Sequence, residues 1–305
     1  MRTPPERLLI RLEWRVLRRL DGILAGSYRT SARGIGTDLA GLREYVEGDD
    51  ARHIDWNVTA RLNEPQLRLF TEDRELTVWL VLDCSASMMV GTPGRGKHDV
   101  LSELTLALAR LFGRSGNRVG AVLYDTGAVR TVPPGTGRGH ALRIGAELAR
   151  TFARNTASAA RSGRTTNLAA MLDAVAKLAR RRALIVVISD FIGDGDWERS
   201  LLRLSPRHEV VALRVTDPAD DELPDAGLLV IEDAETGEQL VIDSGDPLLR
   251  AGLLDAVGER DTRLADGTRR AGVPVHRIDT GDDLATALVE VVMSTRRRQR
   301  PPGRL

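Results

Sequence analysis

From Leu76 onward the chain alternates short apolar runs with longer stretches of helical periodicity, and this alternation narrows the fold more than any other feature. Strand candidates fall at 77–82, 118–124, 183–189, 209–215 and 273–278. Helix candidates lie among them at 98–113, 140–153, 167–181, 196–204, 247–271 and 282–293. Strands that recur with helices between them must be joined by crossovers. The expected fold is therefore α/β, a doubly wound and mostly parallel sheet with helices on both faces. One break in the alternation is expected. Gly227–Val230 and Gln239–Ile242 flank Glu235-Thr236-Gly237-Glu238, which reads as an antiparallel hairpin inserted or added at a sheet edge.

The residues before Leu76 follow a different pattern. Residues 1–25 carry Leu8, Leu9, Leu12, Val16, Leu17, Leu20, Ile23 and Leu24 at helical spacing, with arginines on the other face. Within this N-terminal amphipathic helix, residues 6–25 could lie on a membrane surface, but a helix packing on its own protein is the favoured reading. Residues 26–75 hold short strand-like pieces between turn residues and suggest a small β module. Residues 76–295 form the α/β domain, and 296–305 read as a basic disordered tail.

Composition removes several function classes. Lys+Arg (44) nearly cancel Asp+Glu (43), so the net charge of +1 gives no general drive toward nucleic acid. Aromatics at 4% are too sparse to interleave with basic residues as base-stacking platforms. A single Cys allows no intrachain disulfide, and no apolar run reaches the roughly 20 residues of a membrane span. Arginines and Glu13 interrupt the N-terminal apolar stretch, which fails as a signal peptide, so the expected location is cytoplasmic.

Chemistry concentrates in three loops. Asp83-Cys84-Ser85-Ala86-Ser87 leaves the apolar run Leu76–Leu82, placing one acid and two hydroxyls at i, i+2 and i+4. Hard oxygens without His or Cys suit Mg²⁺, Mn²⁺ or Ca²⁺ rather than zinc, although Asp and Ser also serve in ordinary turns. Gly163-Arg164-Thr165-Thr166-Asn167 opens a helix, with Thr166 or Asn167 near its N-cap. The run Leu184–Ser189 ends in Asp190. In a doubly wound sheet, loops that follow strands share one edge, and ligands bind there near the point where strand order reverses.

These three loops, in this order, resemble the metal-ion-dependent adhesion site of von Willebrand factor A domains. The resemblance implies that Ser85, Ser87 and Thr166 offer hydroxyl oxygens, and that Asp83 and Asp190 bind the ion directly or through water. Thr166 rather than Thr165 fits the family register. The implied ion is Mg²⁺, with Mn²⁺ or Ca²⁺ as alternatives. Gly41–Asp50, Arg52-His53-Ile54-Asp55-Trp56, Ala60-Arg61, Phe70–Glu75, Asp217-Pro218 and Glu222-Leu223-Pro224 further resemble the bacterial domain of unknown function 58 family, over residues 28–290. Members of that family often carry two transmembrane helices ahead of this region. The present chain resembles the short soluble branch. The family is commonly linked with MoxR-type AAA+ ATPases, which makes such an ATPase the implied protein partner.

Other candidates carry less weight. Arg43, Arg52, Asp55, Trp56 and Arg61 could form a partner-binding surface. An Arg–carboxylate network with Trp56 as the anchor tying the β module to the α/β domain is favoured. Gly91–Lys97 matches Gly-x-x-x-x-Gly-Lys, but His98 stands where a P-loop needs Ser or Thr. Lys97 is instead expected to close over the metal loop or to meet a partner carboxylate, and Asp99 to be an acid at a helix N-terminus. Cys84 reads as a small residue in a tight turn. No catalytic residue is expected. The leading function is a non-enzymatic, metal-dependent interaction protein, and the alternative is a Mg²⁺-dependent hydrolase or phosphatase.

Overall fold

The computed structural model describes residues 33–46, 49–71, 76–91, 94–114, 116–125, 128–158, 166–193, 195–221, 225–233 and 238–299. The expected helix at 6–25 lies outside them. The described residues divide into two compact units, 33–71 and 76–299.

In the smaller unit β1 (Arg33–Glu44) pairs antiparallel with β2 (Gln66–Thr71), and Leu39/Gly41 marks one of two register shifts. Residues 51–53 and 56–62 are helical rather than strand-like, and between them Ile54 makes an isolated antiparallel bridge to Leu67. They form a 3-10 turn at Ala51–His53 and a short helix α1 (Trp56–Leu62). The reason is local capping. The Asp55 carboxylate accepts from the Asn57 and Val58 N–H groups at 3.1 and 3.2 Å, and Asn63 ends the helix in the left-handed region at φ 56°.

The larger unit begins with β3 (Thr77–Asp83), α2 (Lys97–Arg114), β4 (Arg118–Asp125) and β5 (Ala128–Gly135). It continues with α3 (Gly137–Ser158), α4 (Leu168–Leu178), β6 (Leu184–Ser189), α5 (Trp197–Leu204) and β7 (Glu209–Thr216). The hairpin β8 (Leu228–Glu232) and β9 (Gln239–Asp243) precedes α6 (Pro247–Ala271), β10 (Val275–Asp279) and α7 (Leu284–Gln299). Six strands form one sheet in the order β10-β7-β6-β3-β4-β5, parallel except for β5. This is the doubly wound sheet expected from the alternation. Two details differ. The hairpin β8–β9 is a separate two-stranded sheet rather than an addition to the main one. The basic residues Arg296–Arg298 continue α7, because the first residues unable to continue a helix are Pro301 and Pro302.

Strand interiors explain the order of the core. Leu80, Val81 and Leu82 are fully buried, each contributing about 1.5–3 kcal/mol relative to exposure. Trp79 and Val81 face the layer that holds Leu168, Met171, Leu201 and Leu264, on helices α4, α5 and α6. The alternate residues turn to the opposite face, where α2 packs on α3 and α7. After β3 the chain moves outward to β4 and β5, then crosses back to place β6 on the other side of β3. The order of strands thus reverses between β3 and β6, and their carboxyl ends carry Asp83 and Asp190. Among the described residues no helix is long and apolar enough to cross a membrane.

Candidate metal centre

β3 ends on Asp83, and the pairing of Leu82 with Ile188 brings it beside Ser189 at the end of β6. The Asp83 carboxylate is completely buried and is held by hydrogen bonds from Ser189 and Ser85. Ser189 Oγ donates to Oδ2 at 2.6 Å, and the Ser85 N–H donates to Oδ1 at 3.0 Å. The chain then turns through a short 3-10 segment at Ser87–Met89. That turn places Ser85 Oγ 3.0 Å from Ser87 Oγ, so the two hydroxyls point to a common region. Asn155, on α3, donates its amide to the Cys84 carbonyl and ties the loop from behind. Cys84 is buried with its thiol toward the Leu82 carbonyl, and burial pushes its pKa well up. It fills the turn as a small inert residue.

Asp190 approaches from the neighbouring strand. Its Oδ1 accepts the Ile192 N–H at 3.0 Å, and the Phe191 N–H donates to Ser189 Oγ at 2.9 Å. This tight turn holds Phe191 at φ 58°, a left-handed conformation unusual for a residue with a large side chain. Gly193 follows, and a Cβ built on it would fall 2.6 Å from the Thr166 carbonyl oxygen. The missing side chain is what lets the Thr166 loop lie against the Asp190 loop. Thr166 is fully buried there, while Asn167 is the N-cap of α4 and accepts the Ala170 N–H at 2.9 Å. Thr165 lies outside the described residues.

The electrostatics of the cluster favour a cation. Burial pushes the Asp83 carboxyl up to about 7, and the charge of nearby Asp190 adds to the rise. Lys97 supplies a positive charge: its Nζ is 2.9 Å from Asp190 Oδ2 and 2.8 Å from Asp220 Oδ1. Burial alone would lower the Lys97 pKa, but its two acidic partners hold it raised. Among the described residues no cluster of three or more His, Cys, Asp or Glu side chains is placed to hold a metal ion. The five residues expected at a site here would offer two carboxylates and three hydroxyls, all hard oxygens. That donor set fits Mg²⁺, Mn²⁺ or Ca²⁺ and no softer ion.

Asp83, Ser85, Ser87 and Asp190 therefore lie at the ends of the two strands that flank the strand-order reversal, and the Thr166 backbone lies against the Asp190 loop. Of the remaining candidates, Lys97 meets this cluster through Asp190. Lys97 has a side chain only 1% exposed and meets carboxylates of its own chain, so it is not a surface contact for a partner. Arg95, in the same loop, donates to the Thr280 and Asp282 carbonyls at 2.8 and 2.7 Å and pairs with Glu103 at 2.7 Å. Asp99 takes the expected place in the first turn of α2, accepting the Gly96 N–H at 3.1 Å. In the smaller unit Arg43 pairs with Asp49 at 2.7 Å and Arg52 with Asp50 at 2.8 Å, both locally in sequence. Asp55 is a helix cap, Arg61 is exposed, and Trp56 is 68% exposed, so Trp56 is not a buried anchor. Sequence reasoning missed three participants: Ser189, Asp220 and Asn155. Only Ser189 had a local signal, as the residue before Asp190 on a strand flanking the Asp83 strand.

The family model described as "Protein of unknown function DUF58" matches residues 41–263. An uncharacterized protein of Mycobacterium tuberculosis is 39% identical over 286 residues, covering 94% of this chain and 88% of its own length. An uncharacterized protein of Mycobacterium bovis matches to the same extent, with 39% identity. Among solved structures, the conserved hypothetical protein BatB from Bacteroides thetaiotaomicron aligns with a TM-score of 0.45 at 16% identity, over 73% of this chain and all (100%) of that one. An aerotolerance-related membrane protein from Bacteroides fragilis aligns equally, with a TM-score of 0.45 and 16% identity over 73% of this chain and 100% of that chain. Neither likeness is strong enough to add to what the sheet and the loops themselves establish. With the family model spanning most of the chain and the mycobacterial relatives matching over nearly all of it, the chain belongs to the DUF58 family of proteins of unknown function.

Proposed function

We propose that this protein is a metal-dependent interaction protein that grips a carboxylate of a protein partner through Mg²⁺ held by Asp83, Ser85, Ser87, Thr166 and Asp190. The observation that carries this reading is the meeting of two buried carboxylates, Asp83 and Asp190, close enough for their charges to oppose each other, with the paired Ser85 and Ser87 hydroxyls in the loop that follows Asp83. When bound, the ion supplies a positive charge and Lewis-acid coordination to an incoming carboxylate. The chain's own residues do the positioning. Ser189 and the Ser85 N–H orient the Asp83 carboxylate, the Ile192 N–H orients Asp190, and Asn155 fixes the loop that bears both serines. The partner this reading favours is a MoxR-type AAA+ ATPase, as the family resemblance implies.

No observation favours a hydrolase over this reading. A metal-dependent hydrolase needs a base or nucleophile beside the ion. Asp83 is bonded by Ser189 and Ser85, and Asp190 by Ile192 and Lys97, which leaves neither as a spare base. The test is binding of the host's purified MoxR-type ATPase to the immobilised protein. Binding is expected in Mg²⁺ and should fall to background in EDTA and in Asp83→Ala. Equal binding in EDTA would remove the metal grip, and no binding in any condition would remove the partner.

A further inference from the structure

Lys97 is the first residue of α2, and its side chain is buried to the same degree as that of Asp190, each 1% exposed. A buried ammonium persists only where carboxylates neutralise it. Here there are two, and they are held in different ways. Asp190 has one oxygen, Oδ1, committed to the Ile192 N–H, so Oδ2 is the oxygen left for a cation, and Lys97 bonds that oxygen at 2.9 Å. Asp220 belongs to no part of the metal pattern. It is fixed by the 3-10 turn after β7, where its Oδ2 accepts the Asp217 N–H at 3.1 Å. Asp217 is itself anchored by the Ala219 N–H at 3.0 Å and by Thr280 Oγ1 at 2.7 Å. The turn thus presents Asp220 Oδ1 to Lys97 as a second acceptor, ready at 2.8 Å.

One ammonium bridges an oxygen of the candidate metal residues and an oxygen outside them. We propose that Lys97 is a tethered counter-cation of the metal centre: it holds Asp190 Oδ2 in the metal-free chain and withdraws onto Asp220 when a divalent cation takes that oxygen. This inference rests on the reading of the five oxygen-bearing residues as a metal site. In the metal-free protein the lysine offsets the repulsion between the Asp83 and Asp190 carboxylates and keeps the loops in place. It also weakens the affinity for the ion, because binding must displace a positive charge. The site then responds to the concentration of free divalent cation rather than holding its metal permanently.

Calorimetric titration of Mg²⁺ and Mn²⁺ into the full chain tests this, with far-UV circular dichroism as the check on folding. Lys97→Met is expected to bind either ion about tenfold more tightly or better, since a unit charge beside the site is gone. Asp220→Asn is expected to bind more weakly, because the ammonium then has only Asp190. Asp221→Asn serves as the control for loss of any nearby charge: Asp221 pairs with Arg260 at 2.9 Å and Arg277 at 3.1 Å, not with Lys97. It should change affinity much less than Asp220→Asn. If Asp83→Ala abolishes binding while Lys97→Met binds no tighter than wild type, the counter-cation role is overturned and the metal site stands. If wild type and Asp83→Ala respond alike, the metal site falls and the counter-cation with it. Should Lys97→Met not fold, Asp220→Asn decides, and an affinity equal to that of Asp221→Asn overturns the proposal.

Discussion

At the scale of single residues, the site depends on an atom that is missing. A Cβ at Gly193 would sit 2.6 Å from the Thr166 carbonyl oxygen, closer than real contacts allow, and a tight 3.2 Å from the Thr166 Cβ. Backbone rather than a flexible side chain stands in the way, so the two loops would have to part. Gly193→Ala is expected to destabilise the protein by about 1–3 kcal/mol, the usual range for overpacking, and to weaken Mn²⁺ binding. Chemical denaturation and calorimetry check both, and an unchanged midpoint with unchanged affinity would show that the contact is not tight. The same scale separates what the sequence discloses from what it hides. Asp83, Ser85, Ser87 and Asp190 are legible because strand ends fix where they point. Lys97 is legible only as a residue that closes over the loop; its pairing with Asp190 and Asp220 is not, because they lie 93 and 123 residues away and nothing local announces them.

At the scale of elements, the strands of the main sheet that were legible are those with apolar runs, and the one in that sheet that was not is β5. Four successive residues of β5, Ala128–Thr131, are exposed, and the strand contains Pro133 and Pro134. It has no apolar run to read, and only its pairing with β4 makes it a strand. The hairpin was legible as a hairpin, but its placement depends on tertiary packing that a turn signal cannot carry. The junction from α5 to β7 supplies a pH prediction. His208 is buried there, and its Nδ1 has no hydrogen-bond partner among the described residues. Burial, with Arg207 adding to it, holds its pKa below the ordinary 6.5. Below about pH 6.5 the unfolded chain takes up a proton that the folded chain refuses, so stability is full above that pH and declines as pH falls toward the folded value. Urea midpoints between about pH 5 and 7.5 should fall with acidification in wild type and fall less in His208→Gln. Parallel curves for the two proteins would remove His208 as the cause.

At the scale of the whole molecule, the larger unit has what an independent domain needs. Its sheet is covered on both faces by its own helices, and its candidate metal residues all lie within 76–299. A chain starting at Leu76 is therefore expected to unfold in one cooperative transition and to give the same Mn²⁺ titration as the full protein. A broad transition, or lost binding, would show that residues 1–75 contribute to the fold or to the site. The fold class was readable from the alternation alone because every crossover in a parallel sheet needs a helix-length connection. The use of residues 33–71 was not readable, since short pieces with mixed polarity fit strands and capped turns equally well.

The two prolines of β5 bear on how copies of this protein can meet. β5 is the last strand on its side of the sheet, and an exposed last strand is ordinarily a template for another chain. Pro133 and Pro134 have no N–H to offer, and they fall where the β4–β5 register shifts. A seventh strand finds an interrupted ladder there. Growth of the sheet from one molecule into the next meets a break at that end of the flank, which leaves a shorter stretch, Ala128–Val132, on which another strand could align.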